Sequence, residues 1–527
     1  MPLIINNIKM PPDSSEEQVT AKALKSVGVR PGEVQKADIH KTSVDARDNS
    51  NIRFVHSVYL SLGDKEREKS IAAKYKDAAV AAEGRIKPEI GTVHKSGRVL
   101  VVGFGPAGMF AALTLARYGY KPIVAERGAG IEKRIERVDR YMSGGTLDRQ
   151  TNIQFGEGGA GTFSDGKLTC RHKDELCRVV LKEFVSFGAP EEILNKAKPH
   201  IGTDKLRNVV KGIREELISL GGEVRFETAL CDIEHKGSSI YATLSDGTKI
   251  ECSAVILAIG HSARDTFEML AGKDVFLEPK PFSVGARIEH LQTAVNDSLY
   301  GRNANDPLLP KGEYQLSYRD KNGRGVYSFC MCPGGMVVPA ASEEETTVTN
   351  GMSEFARDGK NANAAIVVSV TPGDFGGGVL DGMSFAREIE RRAYRLTGDK
   401  APACTVGGFL SGKPALSRVI EPTYSRGVMA ADLQRLFPGY VSDMLKTGLM
   451  SFARKMKCFS DGEALLTAPE TRTSSPVRIT RNDKRQSLSM PGLYPCGEGA
   501  GYAGGIMSAA VDGIKTALAV MKEQAPQ

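Results

Sequence analysis

Residues 99–108 read Val-Leu-Val-Val-Gly103-Phe-Gly105-Pro-Ala-Gly108, and the chain then runs through MFAALTLARYG to a strand-like PIVAE ending at Glu126. The leading apolar residues suit a buried strand, the glycines fit G-x-G-x-x-G, and the alanine-rich run suits a helix. In such a turn Gly103 permits the tight bend, Gly105 lets backbone approach a pyrophosphate, and Gly108 lets helix pack on strand. The helix N-terminus itself attracts an anion. Glu126 follows Gly108 by 18 residues, near the roughly 20 at which an acid accepts from a ribose and repels a 2′-phosphate. The spacing therefore predicts a βαβ unit over 98–126 that takes FAD or NAD rather than NADP. Residues 99–116 carry no charge, about the shortest run that spans a membrane, but the glycine–proline turn divides them.

Composition agrees with a folded enzyme-sized chain. The 527 residues include 57 glycines, about 11% against roughly 7% in average usage. With 41% hydrophobic and 25% charged residues, neither a collagen-like nor a disordered composition applies. The net charge of +7 falls short of a dedicated nucleic-acid binder and suits an anionic small molecule equally well. Nine cysteines show no C-x-x-C and no zinc-type spacing, so a reducing, cytoplasmic setting without a metal site is expected. The opening MPLIINNIKMPPDSSEE lacks a basic segment followed by an apolar run, so no signal peptide is read there.

Two further glycine clusters match the same spacing. Gly156-Glu-Gly158-Gly159-Ala160-Gly161 follows a polar RQTNIQF and precedes TFSDGKL, which is no helix. It reads as a loop whose amides pass close to an already bound cofactor. Gly499-Ala-Gly501-Tyr-Ala-Gly504 follows the strand LYPCG and precedes a small-residue helix, with 23 residues left after it. That is too short for a full dinucleotide unit, but it can present a helix N-terminus to a ligand held by the first.

The expected fold class is α/β. A Rossmann-like FAD-binding domain over 97–275 and 420–527 surrounds an inserted mixed α+β substrate or cap domain over 276–419. Residues 1–88 form a separate α+β module. There, strands at 3–9, 34–42 and 52–62 alternate with a helix opened by Ser14 and Glu17 as a capping box and a charged helix at 65–82. The order βαββα suggests a ferredoxin-like arrangement. A helix at 205–220 is expected to be capped by Thr203 or Asp204, and an amphipathic one lies at 385–396.

Together, the early G-x-G-x-x-G with its acid, the strand AVILAIG, and a terminal Gly497-Glu498 before a small-residue helix resemble the two-dinucleotide-binding-domain flavoproteins of glutathione-reductase type. FGEGGAGTFSDGKLT (155–169), LAIGHSARDTFEML (257–270), KPFSVGARIEH (280–290), YSFCMCPGG (327–335) and YPCGEGAGYAGGI (494–506) are similar to an uncharacterised bacterial family of FAD-dependent dehydrogenases. The resemblance implies that Gly103, Gly105, Pro106, Ala107 and Gly108 face the FAD pyrophosphate and Glu126 the adenosine ribose. Arg127 and Arg134 would lie near the adenosine or phosphates, and Gly158, Gly159, Ala160, Gly161 and Thr162 along the flavin. The backbone near Ala229 would meet adenine, Gly260 the pyrophosphate edge, and Gly497 and Glu498 the ribitol, where relatives usually carry Asp. Gly504, Gly505 and Ile506 would present amides to the flavin pyrimidine edge. The chain departs from disulfide reductases of this class in lacking both C-x-x-C and a second complete nucleotide unit. NAD(P)H would thus bind transiently over the flavin, or another protein would supply electrons.

Reactive candidates are Cys330 and Cys332, which share a face if they sit on a strand, together with Cys496 and His261. For the cysteine pair a redox dithiol and plain burial both remain open, burial being the commoner fate of cysteine. Cys496 suits either a thiol near the ring or a small residue required by packing. His261 suits a general acid, a phosphate contact or a loop residue; Tyr327 and Tyr502 suit proton donation or stacking. The leading function is an FAD-dependent oxidoreductase passing hydride from NAD(P)H to an organic small molecule. An RNA-modifying flavoprotein, and a flavin-binding protein that recruits a partner, are the alternatives. Nucleic acid is disfavoured because no Lys/Arg tract is interleaved with aromatics, and no membrane association is expected. The sequence is silent on oligomeric state.

Overall fold

The computed structural model describes residues 2–81, 84–169, 174–237 and 239–526. Apolar strand Arg98–Val102 runs into helix Pro106–Arg117 and back to strand Ile123–Ala125, which pairs with it in parallel (Leu100 opposite Ile123, Val102 opposite Ala125). Lys249–Leu257 joins on the other side in parallel, followed by Leu493–Pro495, while Glu223–Arg225 extends the Ile123–Ala125 edge. A meander of Leu230–Lys236, Ser239–Leu244 and Lys249–Leu257 completes this seven-stranded sheet. The parallel strands are near-continuous apolar runs because both faces are covered. Helices Pro106–Arg117, Thr203–Ser219 and Ile506–Glu523 bury one face in a single core.

A second seven-stranded sheet holds, in order, Ser317–Arg319, Gly325–Cys332, Asn361–Val370, Phe282–Leu291, Leu465–Glu470, Ala401–Thr405 and Val428–Ala430. This corrects the expected boundary at 420. Leu465–Glu470 lies in the interior of the inserted sheet, between Phe282–Leu291 and Ala401–Thr405, so the insertion extends past 470. The helix read at 385–396 spans Asp381–Thr397.

In the N-terminal module, strands Leu3–Met10, Lys36–Asp45, Arg53–Ser61 and Ala78–Val80 make an antiparallel sheet in which the first and third strands are central. The capping box falls one residue later than read: Ser15 accepts from Gln18 N and Gln18 Oε1 from Ser15 N. The second helix stops at Lys74, and Ala78–Val80 becomes an edge strand beside Leu3–Ile5. Ala82, where the helix was expected to end, and Cys170 lie outside the described residues. Thr42 ties the module to the rest through backbone bonds to Asn195 (2.7 Å) and Ala197 (2.9 Å). Among the described residues no helix is long and apolar enough to cross a membrane.

Candidate functional site

The three glycine clusters, far apart in sequence, meet at one place. Gly103 adopts φ +94° and donates to Ala125 O (2.8 Å), which holds the turn against the second strand. A Cβ on Gly108 would stand 1.9 Å from Gly103 O, so only glycine lets the helix leave the turn at this angle. From the second cluster, Gly158 N donates to Phe104 O (2.9 Å), and a Cβ on Gly159 would lie 2.9 Å from Gly105 Cα. Gly161 packs against Ile506 at the start of the last helix, and Gly497 against Ala107. Gly499 lies so close to Gly260 that a Cβ would come within 2.5 Å of its carbonyl.

The first helix and the last lie side by side, with Gly513 against Ala107. Gly105 and Gly505 are their N-caps, and neither has a side-chain cap. Two sets of first-turn N–H groups therefore face the same region, each carrying the positive end of a helix dipole. Gly260, Gly504 and Gly505 would meet nothing within 4 Å if given a Cβ, so backbone there is open to a ligand. Bare backbone, uncapped helix ends and a nearby carboxylate fit a flavin dinucleotide.

Glu126, 4% exposed, accepts from Phe104 N (2.7 Å), Gly128 N (2.9 Å) and Gly156 N (2.9 Å), and so clamps the first and second glycine clusters together. Arg127 lies beside it, donating to Asp265 and Thr266 and stacking over Phe155 at 4.5 Å. Arg134 does not face a phosphate. Its guanidinium is fully buried and donates to five carbonyls of the glycine loop, those of Asn152, Ile153, Gly156, Glu157 and Gly159, at 2.6–3.2 Å. A glycine-rich loop with no ladder of its own leaves carbonyls unpaired, and a buried arginine satisfies them. Ala229 spends its N–H on Ser245 Oγ (2.9 Å), and its carbonyl accepts from Ser245 N (2.9 Å) and from the Cys231 thiol (3.9 Å), so both its backbone groups are engaged within the protein. Thr203 and Asp204 do not cap their helix, whose N-cap is Gly202. Thr203 donates to Thr162 O and Asp204 accepts from Phe355 N, binding the loop and the insertion together.

Ala160, Gly161 and Thr162 fall in a single 3-10 turn, Ala160–Phe163, beside this junction. Glu498, on the third cluster, has its carboxyl pushed up to about 7 by burial, against the pull of the Lys280 ammonium. Burial also lowers Lys280. Glu157 is likewise pushed to about 7 by burial, although Arg214 sits 2.9 Å away.

Two reactive candidates are corrected. Cys496 is fully buried and its thiol is pushed up to about 12, so it stays protonated inside the core. Its neighbour Asp512 matters more, accepting from Gly497 N (2.8 Å) and pairing with Arg481 and Arg485. His261 bonds Ser262 Oγ at 2.9 Å. Burial and the Arg472 and Arg264 charges pull it down to about 3, which favours the neutral imidazole at pH 7 and weighs against a general acid. Tyr502 Oη accepts from Arg481 N, a bond that leaves its O–H to donate, and the Tyr327 hydroxyl bonds Ser283 Oγ at 2.8 Å.

Cys330 and Cys332 end the strand Gly325–Cys332 and are joined to the glycine loop by Lys167, which donates to Met331 O. Lys167 also pairs with the buried Asp165 at 3.1 Å, and Asp165 in turn accepts from Ser353 and Arg357. On the opposite side Arg287, fully buried, donates to Cys330 O (3.0 Å), Asn363 Oδ1 (2.7 Å) and both oxygens of Glu470 (3.0 and 3.1 Å). None of Asp165, Lys167, Arg287, Arg357 or Glu470 was singled out from the sequence. The available signal was a charge inside an otherwise apolar strand, as in FSVGARIEH and LLTAPE. Among the described residues no group of three His, Cys, Asp or Glu side chains is arranged to hold a metal.

Residues 281–473 match a family model described as "FAD-dependent protein, C-terminal domain-like", and residues 1–60 one described as a domain of unknown function (DUF8436). An uncharacterized protein of Clostridium beijerinckii is 47% identical over 526 residues, covering 98% of each chain. Among solved structures, a flavoprotein/dehydrogenase from Cytophaga hutchinsonii is 14% identical with a TM-score of 0.35, over 82% of this chain and 80% of that one. A glycine oxidase from Geobacillus kaustophilus is 11% identical with a TM-score of 0.34, over 81% and 94%. Likeness at that level carries no activity across. At 47% identity along nearly its whole length, the chain belongs to the family of that Clostridium beijerinckii protein.

Proposed function

We propose that this protein is an FAD-dependent oxidoreductase that takes hydride from NAD(P)H and delivers it to an organic small molecule. The observation that carries the reading is the meeting of three glycine clusters at two uncapped helix N-termini. Bound FAD would supply the redox chemistry, accepting and releasing hydride at flavin N5. The chain's part is placement and charge. Gly105 and Gly159 admit the pyrophosphate close to backbone, and the first-turn amides after Gly105 stabilise its charge. Gly504, Gly505 and Ile506 would hold the flavin at a helix N-terminus, whose dipole would stabilise negative charge on the reduced ring. Glu498, raised to about 7 by burial, would hold a proton at this end of the site. The insertion is tied to the glycine loop through Lys167, which donates to Met331 O, and Arg357, which donates to Asp165.

Anaerobic titration of the purified protein with NADH and with NADPH tests this reading. Bleaching of the flavin absorbance by one of them, reversed by a small-molecule acceptor, is expected. A flavin inert to both would overturn the nicotinamide donor.

A further inference from the structure

Six of the eight described cysteines are unremarkable in position, but Cys330 and Cys332 form a built pair. The strand carrying them slips register between Phe329 and Cys332, with three steps facing two on Asn361–Val370. Cys330 sits at φ +44° at this bulge, a left-handed conformation that non-glycine residues reach only at a cost. The bulge holds the two residues two positions apart at one kink of the strand, and the Cys332 thiol donates back to the Cys330 carbonyl. Cys332 is fully buried, its Sγ 3.4 Å from Cys330 O and 4.0 Å from the Arg287 guanidinium, whereas Cys330 is only half-buried.

We propose that Cys330 and Cys332 are a redox-active dithiol that exchanges with small-molecule disulfides, Cys330 attacking and Cys332 resolving.

The other buried cysteines serve as internal controls. Burial pushes Cys252, Cys404, Cys458 and Cys496 up to about 12, 12, 11 and 12. Cys330 moves the other way. The Cys332 thiol bonded to it and, against burial, the Lys167 and Arg287 charges hold it below the ordinary thiol range, while Asp165 opposes them. Cys332 is raised by that same bond and stays a thiol. Glu498 and Glu470 also face Cys330, each raised by burial, with the Cys330 charge adding to the rise. An apolar packing role explains neither the bulge nor two cations bonded to its backbone, Lys167 at Met331 O and Arg287 at Cys330 O.

In the first step Cys330 thiolate attacks one sulfur of R–S–S–R. A mixed disulfide forms, the small molecule's S–S bond breaks, and RS⁻ leaves. Cys332 then gives its proton to the released thiolate and attacks Cys330 Sγ, closing the Cys330–Cys332 bond and expelling the second RS⁻. The pair loses two electrons and the disulfide gains them, ending as one thiol and one thiolate; two equivalents of thiol reverse the sequence. The exchange needs no flavin, so it stands or falls separately from the proposed function.

The test treats reduced full-length protein with glutathione disulfide, then alkylates and maps every cysteine by mass. Expected are protection of Cys330 and Cys332 together, a stable glutathione adduct at Cys330 in Cys332→Ser, and none at Cys332 in Cys330→Ser. Cys330 should alkylate at pH 7 at least roughly tenfold faster than the exposed Cys231, since thiolate fraction sets the rate. Full alkylation of both residues after oxidation, or a folded Cys332→Ser that takes no adduct at Cys330, would overturn the proposal.

Discussion

The two seven-stranded sheets use opposite means to hold a site. The parallel sheet around Arg98–Val102 works by omission: glycines bring backbone close, and the central stretches VLVV, IVA and AVIL are apolar. The inserted sheet buries charge instead. Arg287 and Glu470 pair within it, and at its border Glu390, against burial, is held down at about 2 by Arg264 and Arg472. Glycine contacts leave their surface open for a ligand, whereas paired charges are satisfied within the protein and tune what stands beside them. Ligand binding should therefore fail first when the parallel sheet is altered, and stability and thiol chemistry when the inserted one is.

The largest expected effect is on the buried pair. Arg287→Met leaves the Glu470 carboxylate unpaired and should cost about 4 kcal/mol in denaturant unfolding, while Arg287→Met with Glu470→Leu recovers most of it. Equal losses in the single and double variants would show that the pair is not the source of the cost. Gly108→Ala places a Cβ 1.9 Å from Gly103 O and should cost about 3 kcal/mol, with flavin lost on gel filtration. Retention of full flavin content would break the contrast between the sheets.

Smaller effects concern protons. Glu498 has a folded pKa raised from an ordinary 4.5 to about 7. Its contribution to stability is therefore complete below about 4.5 and is lost as pH rises to about 7. Glu498→Gln should remove about 2 kcal/mol of that decline, allowing for partial solvent access, and thermal unfolding of flavin-stripped protein from pH 4.5 to 7.5 measures it. Identical pH profiles for the two proteins would refute the shift. Smallest is Lys167→Met, which should move the pH profile of the Cys330 alkylation rate up by about one unit of thiol ionisation, read at pH values below 7 where the thiolate is titrated away. An unchanged profile would remove Lys167 from the thiol's surroundings.

The parallel sheet was legible because its signals are local. Four apolar residues, three glycines and an acid at the right spacing lie within 28 residues, 99–126. The insertion's edge was not. Leu465–Glu470 pairs with Phe282–Leu291, some 180 residues away, and nothing in LLTAPE states its partner. Arg134 stands in a helix of mixed charge, IEKRIERVDRYM, where one buried arginine looks like its solvated neighbours. The left-handed turn at Cys330 was equally hidden, because no glycine or asparagine marks it.

The most direct measurement is the identity and stoichiometry of cofactor released from protein purified without added flavin. One FAD per chain is expected if the three glycine clusters surround a single dinucleotide. No flavin, or a mononucleotide in its place, would contradict the site built at Gly105, Gly159 and Gly505.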